Sequence, residues 1–156
     1  MRYSSRVNAA ERIRIARRDA NMTQDELAAR SGVRQPNVAS YESGRRSPSE
    51  AMLARLLAAA RPRPSLLLAR HRQEVLDLAD RNRAIDVRIF GSVARGEDTA
   101  DSDIDLLVTF DPGATILDQI GLVDDLQRLL GPRVDVVSDQ ALTERDASIQ
   151  AEAIPL

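Results

Sequence analysis

The sequence predicts two domains: an all-α bundle of short helices, then an α/β (α+β) domain with a small sheet. Three observations carry that expectation. Capped helical segments with spaced apolar residues fill roughly the first sixty positions, whereas short β-like runs alternate with helical stretches after residue 84. Arg61-Pro62-Arg63-Pro64 separates the two regimes, because neither proline continues a helix comfortably. The charge also changes sign: residues 1–72 carry 15 Arg against 6 Asp+Glu, a balance of +9, and residues 73–156 carry 7 Arg against 18 Asp+Glu, a balance of −11. A basic half suits a nucleic-acid backbone, and an acidic half does not unless metal ions neutralise it. The expected division is residues 1–61, a short semi-rigid linker at 62–65, and residues 66–156.

In the first domain, after a frayed start, Asn8 with Glu11 three residues on has the form of a helix cap, and the helix runs to about Ala20. Thr23 and Glu26 form a second capping box, opening a helix that buries Leu27 and Ala28 and stops at Gly32. A third helix begins at Gln35-Pro36, since proline is tolerated in a first turn, and ends before Gly44. Two short helices across a tight Gly-containing turn make a helix-turn-helix. A fourth helix, Ser49 to about Ala60, carries Met52, Leu53, Leu56 and Leu57 to close the bundle.

The text Thr23-Gln24-x-x-Leu27-Ala28, Gly32-Val33, Pro36-x-Val38 and Glu42-x-Gly44-Arg45-Arg46-x-Pro48 resembles the XRE/phage-repressor family of DNA-binding domains, over about residues 8–60. The resemblance implies that the second helix of the pair enters the major groove. It makes Gln35, Asn37 and Ser40 the base readers, Val38 and Tyr41 falling inward, and sets Gln24, Arg45 and Arg46 on phosphate.

In the second domain a helix from Ser65 to about Arg83 offers Leu68, Val75, Leu78 and Ala79 to a core, and a strand follows from Asp86 to Phe90. Gly91-Ser92 then makes a corner: Gly91 permits an unusual backbone angle or a close approach, and Ser92 is placed to cap a short helix whose N–H groups face a phosphate. If Ile104–Val108 is a strand, Asp103 and Asp105 share one face while Ile104 and Leu106 enter the core. Paired carboxylates repel one another, and magnesium relieves that repulsion. Phosphate on one side and metal on the other is the layout of a nucleotidyl transfer site. After a turn at Asp111-Pro112-Gly113, the residues Ile116, Ile120, Val123, Leu126 and Leu130 recur at amphipathic helical spacing. Gly131-Pro132 ends that helix, and Arg133–Val137 is a short strand carrying Asp135. From Ala141 to Leu156 the expectation is helix or turn, with no chemistry.

Two other motifs fail on particular residues. Asp101, Asp103 and Asp105 imitate the start of an EF-hand loop, but Leu106 stands where that loop needs glycine. Gly91 and Gly96 have P-loop spacing, but Glu97-Asp98 follow in place of Lys-Ser/Thr and would repel a triphosphate.

Gly91-Ser92, ten residues, then Asp103-x-Asp105 resembles the signature of the DNA polymerase β-type nucleotidyltransferases. Val93-Ala94-Arg95-Gly96, Ser102–Val108 and the tail Glu152–Leu156 resemble its minimal nucleotidyltransferase (MNT) branch, over about residues 68–156. The resemblance implies a polymerase β-like fold with a small mixed sheet. It also implies that Asp103, Asp105 and Asp135 form a catalytic site for two Mg2+ ions, with Asp135 helping to deprotonate the attacking hydroxyl. Gly91 and Ser92 would cradle the phosphates of ATP, and Arg95 either contacts phosphate or pairs with a nearby aspartate. MNT proteins of bacteria are commonly antitoxins of HEPN ribonucleases. The fusion therefore implies a toxin–antitoxin system in which AMP passes to a tyrosine of the HEPN-type toxin, while the helix-turn-helix, as a homodimer on operator DNA, represses the operon. The open alternatives are a repressor that neutralises its partner by stoichiometric binding, and a nucleotidyltransferase acting on a small molecule.

Composition narrows the remaining classes. There is no cysteine, so disulfides and cysteine-ligated zinc are excluded. The single histidine, His71, reads as a surface residue. No apolar run approaches the roughly 20 residues of a membrane helix and no signal-peptide pattern is present, so the expected compartment is the cytoplasm, with no membrane partner.

Overall fold

The computed structural model describes residues 8–156; the frayed start expected before Asn8 lies outside them. The chain divides into two compact units, residues 1–62 and 63–156.

The first unit is four helices, and each boundary has a local cause. Helix α1 (Ala9–Asp19) is capped by Asn8, whose side chain accepts the Glu11 N–H at 2.9 Å. Helix α2 (Gln24–Ser31) opens with the complete Thr23/Glu26 capping box and closes at Gly32, at φ 64°. Helix α3 (Gln35–Glu42) holds Pro36 in its first turn, and α4 (Glu50–Ala59) is capped by Ser49. Ile13, Leu27, Val38 and Leu56 are fully buried at the centre, with Met22, Val33, Tyr41 and Leu53 around them. Full burial of each aliphatic side chain contributes about 1.5–3 kcal/mol.

The second unit is a four-stranded mixed sheet with helices. Helices α5 (Pro64–Arg70) and α6 (Arg72–Arg81) lead into β1 (Ala84–Phe90), the single helical turn α7 (Gly91–Ala94) and β2 (Ile104–Phe110). Then come α8 (Ile116–Leu130), β3 (Val134–Ser138), α9 (Ala147–Glu152) and β4 (Ile154–Pro155). The strand order is β3-β2-β1-β4; β1 is antiparallel to β2 and β4, and β2 is parallel to β3. Ile104, Leu106, Val108 and Phe110 point from β2 into a core shared with Leu68, Val75, Ala79, Leu122 and Leu126. Residues of β2 two apart therefore divide cleanly, leaving Asp105, Leu107 and Thr109 on the other face.

Four expectations need correction. Pro64, read as linker, is the first residue of α5, one position before the helix start expected at Ser65, because proline fits a first helical turn. The single helix expected from Ser65 to Arg83 is two: His71, at φ −103° and ψ 17°, ends α5 and starts α6. The apolar spacing passes through that residue undisturbed, so periodicity does not mark the break. In α8 the buried residues are Leu122, Leu126 and Leu130, while Ile116 and Ile120 are exposed; apolar residues populate more than one face of this helix, and the sheet selects one. The tail adds a strand, since Ile154 and Pro155 pair with Ile89 and Arg88 of β1. Among the described residues no helix is long and apolar enough to cross a membrane.

Candidate active site and nucleic-acid interface

The acidic site gathers where β1 ends and β2 begins. Register brings its parts together: Phe90 is the partner of Asp105 across the antiparallel ladder, and Asp135 is the partner of Asp105 across the parallel one. Directly paired residues project on the same face, so Asp105 and Asp135 stand side by side, with Asp103 just before the strand. Gly91 follows Phe90 at φ 70°, and a Cβ there would collide with Asp105 Oδ2. Only glycine satisfies both the left-handed backbone and the close approach. Ser92 is the second residue of α7. It does not cap that turn as expected, because the turn starts one residue earlier, at Gly91, after Phe90 and without a side-chain cap. Its carbonyl instead accepts the Glu97 N–H at 2.8 Å.

The electrostatics are those of crowded anions. Burial pushes the Asp105 carboxyl above its usual range, and the charges of Asp135, Asp103 and Glu152 push it the same way, against the opposing charge of Arg95. This repulsion, in an all-oxygen donor set, fits a hard divalent cation. Among the described residues, no three acidic or imidazole groups already form one coordinating cluster, and Asp135 Oδ1 accepts a bond from Arg133 at 3.1 Å. The residues that would hold a metal are Asp103, Asp105 and Asp135.

Arg95 pairs with two glutamates: Nε donates to Glu97 at 2.9 Å and Nη1 to Glu152 at 2.9 Å. Glu152 also accepts the Gly91 N–H at 3.1 Å. The tail read as having no chemistry therefore supplies a carboxylate to the site. Sixty-one positions separate Glu152 from Gly91, and only the pairing of β4 with β1 brings them together. Asp98 is a second residue the sequence did not single out: buried, it accepts the Ser65 N–H at 2.8 Å and anchors the carboxylate loop to the start of α5.

In the first unit, one of the predicted base-reading residues, Gln35, belongs to a hydrogen-bond network that starts at Glu42. Glu42, buried at the end of α3, receives Arg17 Nε at 2.7 Å, Arg17 Nη2 at 3.0 Å and the Gln24 amide at 2.8 Å. Gln24 Oε1 in turn accepts from Gln35 Nε2 at 3.1 Å. A buried ion pair thus sets the orientation of Gln24, and Gln24 that of Gln35. Asn37 and Ser40 lie half-buried on α3, Arg45 and Arg46 are exposed after it, and Arg46 Nη1 reaches Asn37 Oδ1 at 3.5 Å.

A helix-turn-helix on a basic unit and paired carboxylates beside a Gly-Ser corner define a two-module protein, one part built for DNA and one for nucleotidyl transfer. The nucleotidyltransferase domain family model matches residues 68–153, and the chain belongs to that family. A helix-turn-helix family model matches residues 13–61. The protein adenylyltransferase MntA of Thermococcus cleftensis is 40% identical over 76 residues, covering 49% of this chain and 74% of that protein. A relative in Methanocaldococcus jannaschii, named as a protein adenylyltransferase, is 34% identical over 67 residues, 42% of this chain and 67% of its own length. A solved minimal nucleotidyltransferase structure is 49% identical with a TM-score of 0.54, covering 59% of this chain and 95% of that one.

Proposed function

We propose that the protein is the antitoxin of a HEPN/MNT-type toxin–antitoxin system, which transfers AMP from ATP to a hydroxyl of its partner, a tyrosine, and represses its own operon through the helix-turn-helix. The single observation that carries this is Asp105 and Asp135 facing one another on paired strands beside Gly91, in a chain related to protein adenylyltransferases. Asp103, Asp105 and Asp135 would hold the two magnesium ions. When bound, such ions neutralise the phosphates and stabilise attacking and leaving oxygens in line. Gly91 and Ser92 cradle the phosphates, and Arg95 offers its remaining N–H donors to them. Asp135 takes the proton of the attacking hydroxyl. The hydroxyl oxygen bonds to the α-phosphorus as the bond to pyrophosphate breaks, so AMP ends on the partner and pyrophosphate leaves.

The basic unit supplies the second activity. Gln35, Asn37 and Ser40 read base edges as Gln24, Arg45 and Arg46 hold phosphate, and a homodimer spans two half-sites. The test pairs the protein with the product of the adjacent gene in ATP and magnesium. An AMP-sized mass added to that product, lost on chelation, is the expected result; unchanged partner mass contradicts transfer.

A further inference from the structure

The tail of the second unit ends at the reaction corner. Helix α9 stops at Glu152, and the chain then pairs with β1 through Ile154 and Pro155, while the Leu156 N–H donates to the Val87 carbonyl at 3.1 Å and Arg72 Nη2 donates to the Leu156 carbonyl at 2.6 Å. These contacts fix the backbone just after Glu152, so its carboxylate does not swing freely. One oxygen accepts the Gly91 N–H at 3.1 Å and the other accepts Arg95 Nη1 at 2.9 Å.

Each of those partners has little freedom of its own. Gly91 sits at φ 70° with its Cα so close to Asp105 that a Cβ would overlap the carboxylate, so a shift of Gly91 moves the wall against which Asp105 rests. Arg95 is half-exposed, and its guanidinium would wander in solvent but for Glu97 on one edge and Glu152 on the other. An ion pair between exposed groups contributes little to stability. What it does here is fix a direction: with Nε and Nη1 engaged, the other N–H donors are presented in one orientation.

We propose that Glu152 is a positioning residue for nucleotide binding, holding the Gly91 amide and the Arg95 guanidinium in the geometry that receives the triphosphate. The proposal rests on the transferase reading. It gives Glu152 no contact with metal or phosphate; it acts through Gly91 and Arg95. Loss of the carboxylate frees Arg95 and leaves the Gly91 amide without its partner, and loss of its charge alone keeps an acceptor for the amide while weakening the hold on Arg95.

The test uses the full chain and a non-hydrolysable ATP analogue with a methylene between the α- and β-phosphorus, so that no acceptor protein is needed. Calorimetry in magnesium measures its affinity for wild type, Glu152→Gln, Glu152→Ala, Arg95→Ala and the Arg95→Ala/Glu152→Ala double variant, with thermal unfolding of each as the folding control. Expected are a loss of about tenfold or more for Glu152→Ala, a smaller loss for Glu152→Gln, and a double variant weaker than Arg95→Ala by less than Glu152→Ala alone costs, since the two changes share the Arg95 contact and only the Gly91 contact is lost in addition. Unfolding midpoints should stay within a few degrees of wild type. Should Glu152→Ala fail to fold, Glu152→Gln carries the comparison. Wild-type affinity in a folded Glu152 variant, or losses that simply add in the double variant, would overturn the positioning role and leave the transferase reading intact. Absence of analogue binding by the wild-type protein would overturn both.

Discussion

At Gly91 two demands meet in one residue: the backbone is left-handed, and the space a side chain needs is occupied by Asp105 Oδ2. Alanine there incurs the left-handed cost of about 1–2 kcal/mol and displaces the carboxylate as well. Gly91→Ala should therefore lower both thermal stability and AMP transfer, whereas Ser92→Ala should leave stability alone. The serine change removes one phosphate contact of about 1–3 kcal/mol, and a steady-state assay should show a rate loss of about tenfold to a hundredfold. Transfer unchanged in Ser92→Ala would remove the hydroxyl from the phosphate cradle. That Ile104 and Leu106 enter the core while Asp105 faces the other way was legible in the sequence, because a strand repeats every two residues. Glu152 was not legible. Its tail segment resembles the MNT branch, but its contact with Gly91 depends on a tertiary pairing across the sheet that local spacing does not reveal.

Among the elements, α3 carries the most consequential local arrangement. Burial pushes the Glu42 carboxyl up, but hydrogen bonds from Arg17 and Gln24, with the charge of Arg17, outweigh it and leave the group below its ordinary range. A carboxyl lowered on folding stabilises the fold above its unfolded pKa, and that contribution disappears as pH falls through the lower, folded value. The first unit should thus lose stability on acidification below about pH 4.3, the ordinary glutamate value. Tyr41 is buried in that unit and residues 63–156 contain no tyrosine, so tyrosine fluorescence during thermal unfolding follows the first unit through Tyr41. Glu42→Gln should flatten the acid limb of the pH–stability curve; the wild-type slope in that variant would assign the acid loss to other groups. Helix caps were readable at Asn8 and Thr23, because a cap is a local bond between a side chain and a backbone N–H three residues on. The break at His71 and the packing face of α8 were not, since both are decided by what the helix packs against and apolar spacing permits either outcome.

The molecule as a whole joins a basic unit, with 12 Arg against 6 Asp+Glu over residues 1–62, to an acidic remainder, and the two should respond differently to salt. Promoter DNA should bind the full chain in low salt and lose it steeply as salt rises, because phosphate contacts release counterions. Substituting Arg45 and Arg46 should weaken binding to all sequences alike, and Gln35→Ala should cost about 1–3 kcal/mol at its own base pair. A gel-shift series over operator variants checks both; no retardation of promoter DNA in low salt contradicts the repressor half. The two-module architecture was visible in the charge reversal and the Arg61–Pro64 break, both of which are properties of composition and survive without knowledge of contacts. The partner is not written in either half. The chemistry of the acidic corner is read from the intact mass of the partner after incubation with ATP, magnesium and either wild-type or Asp103→Asn protein. Asparagine keeps the shape of the aspartate and removes the charge that holds an ion, so the account predicts an AMP-sized increment with wild type and none with the folded variant, and the same partner mass from both would contradict it.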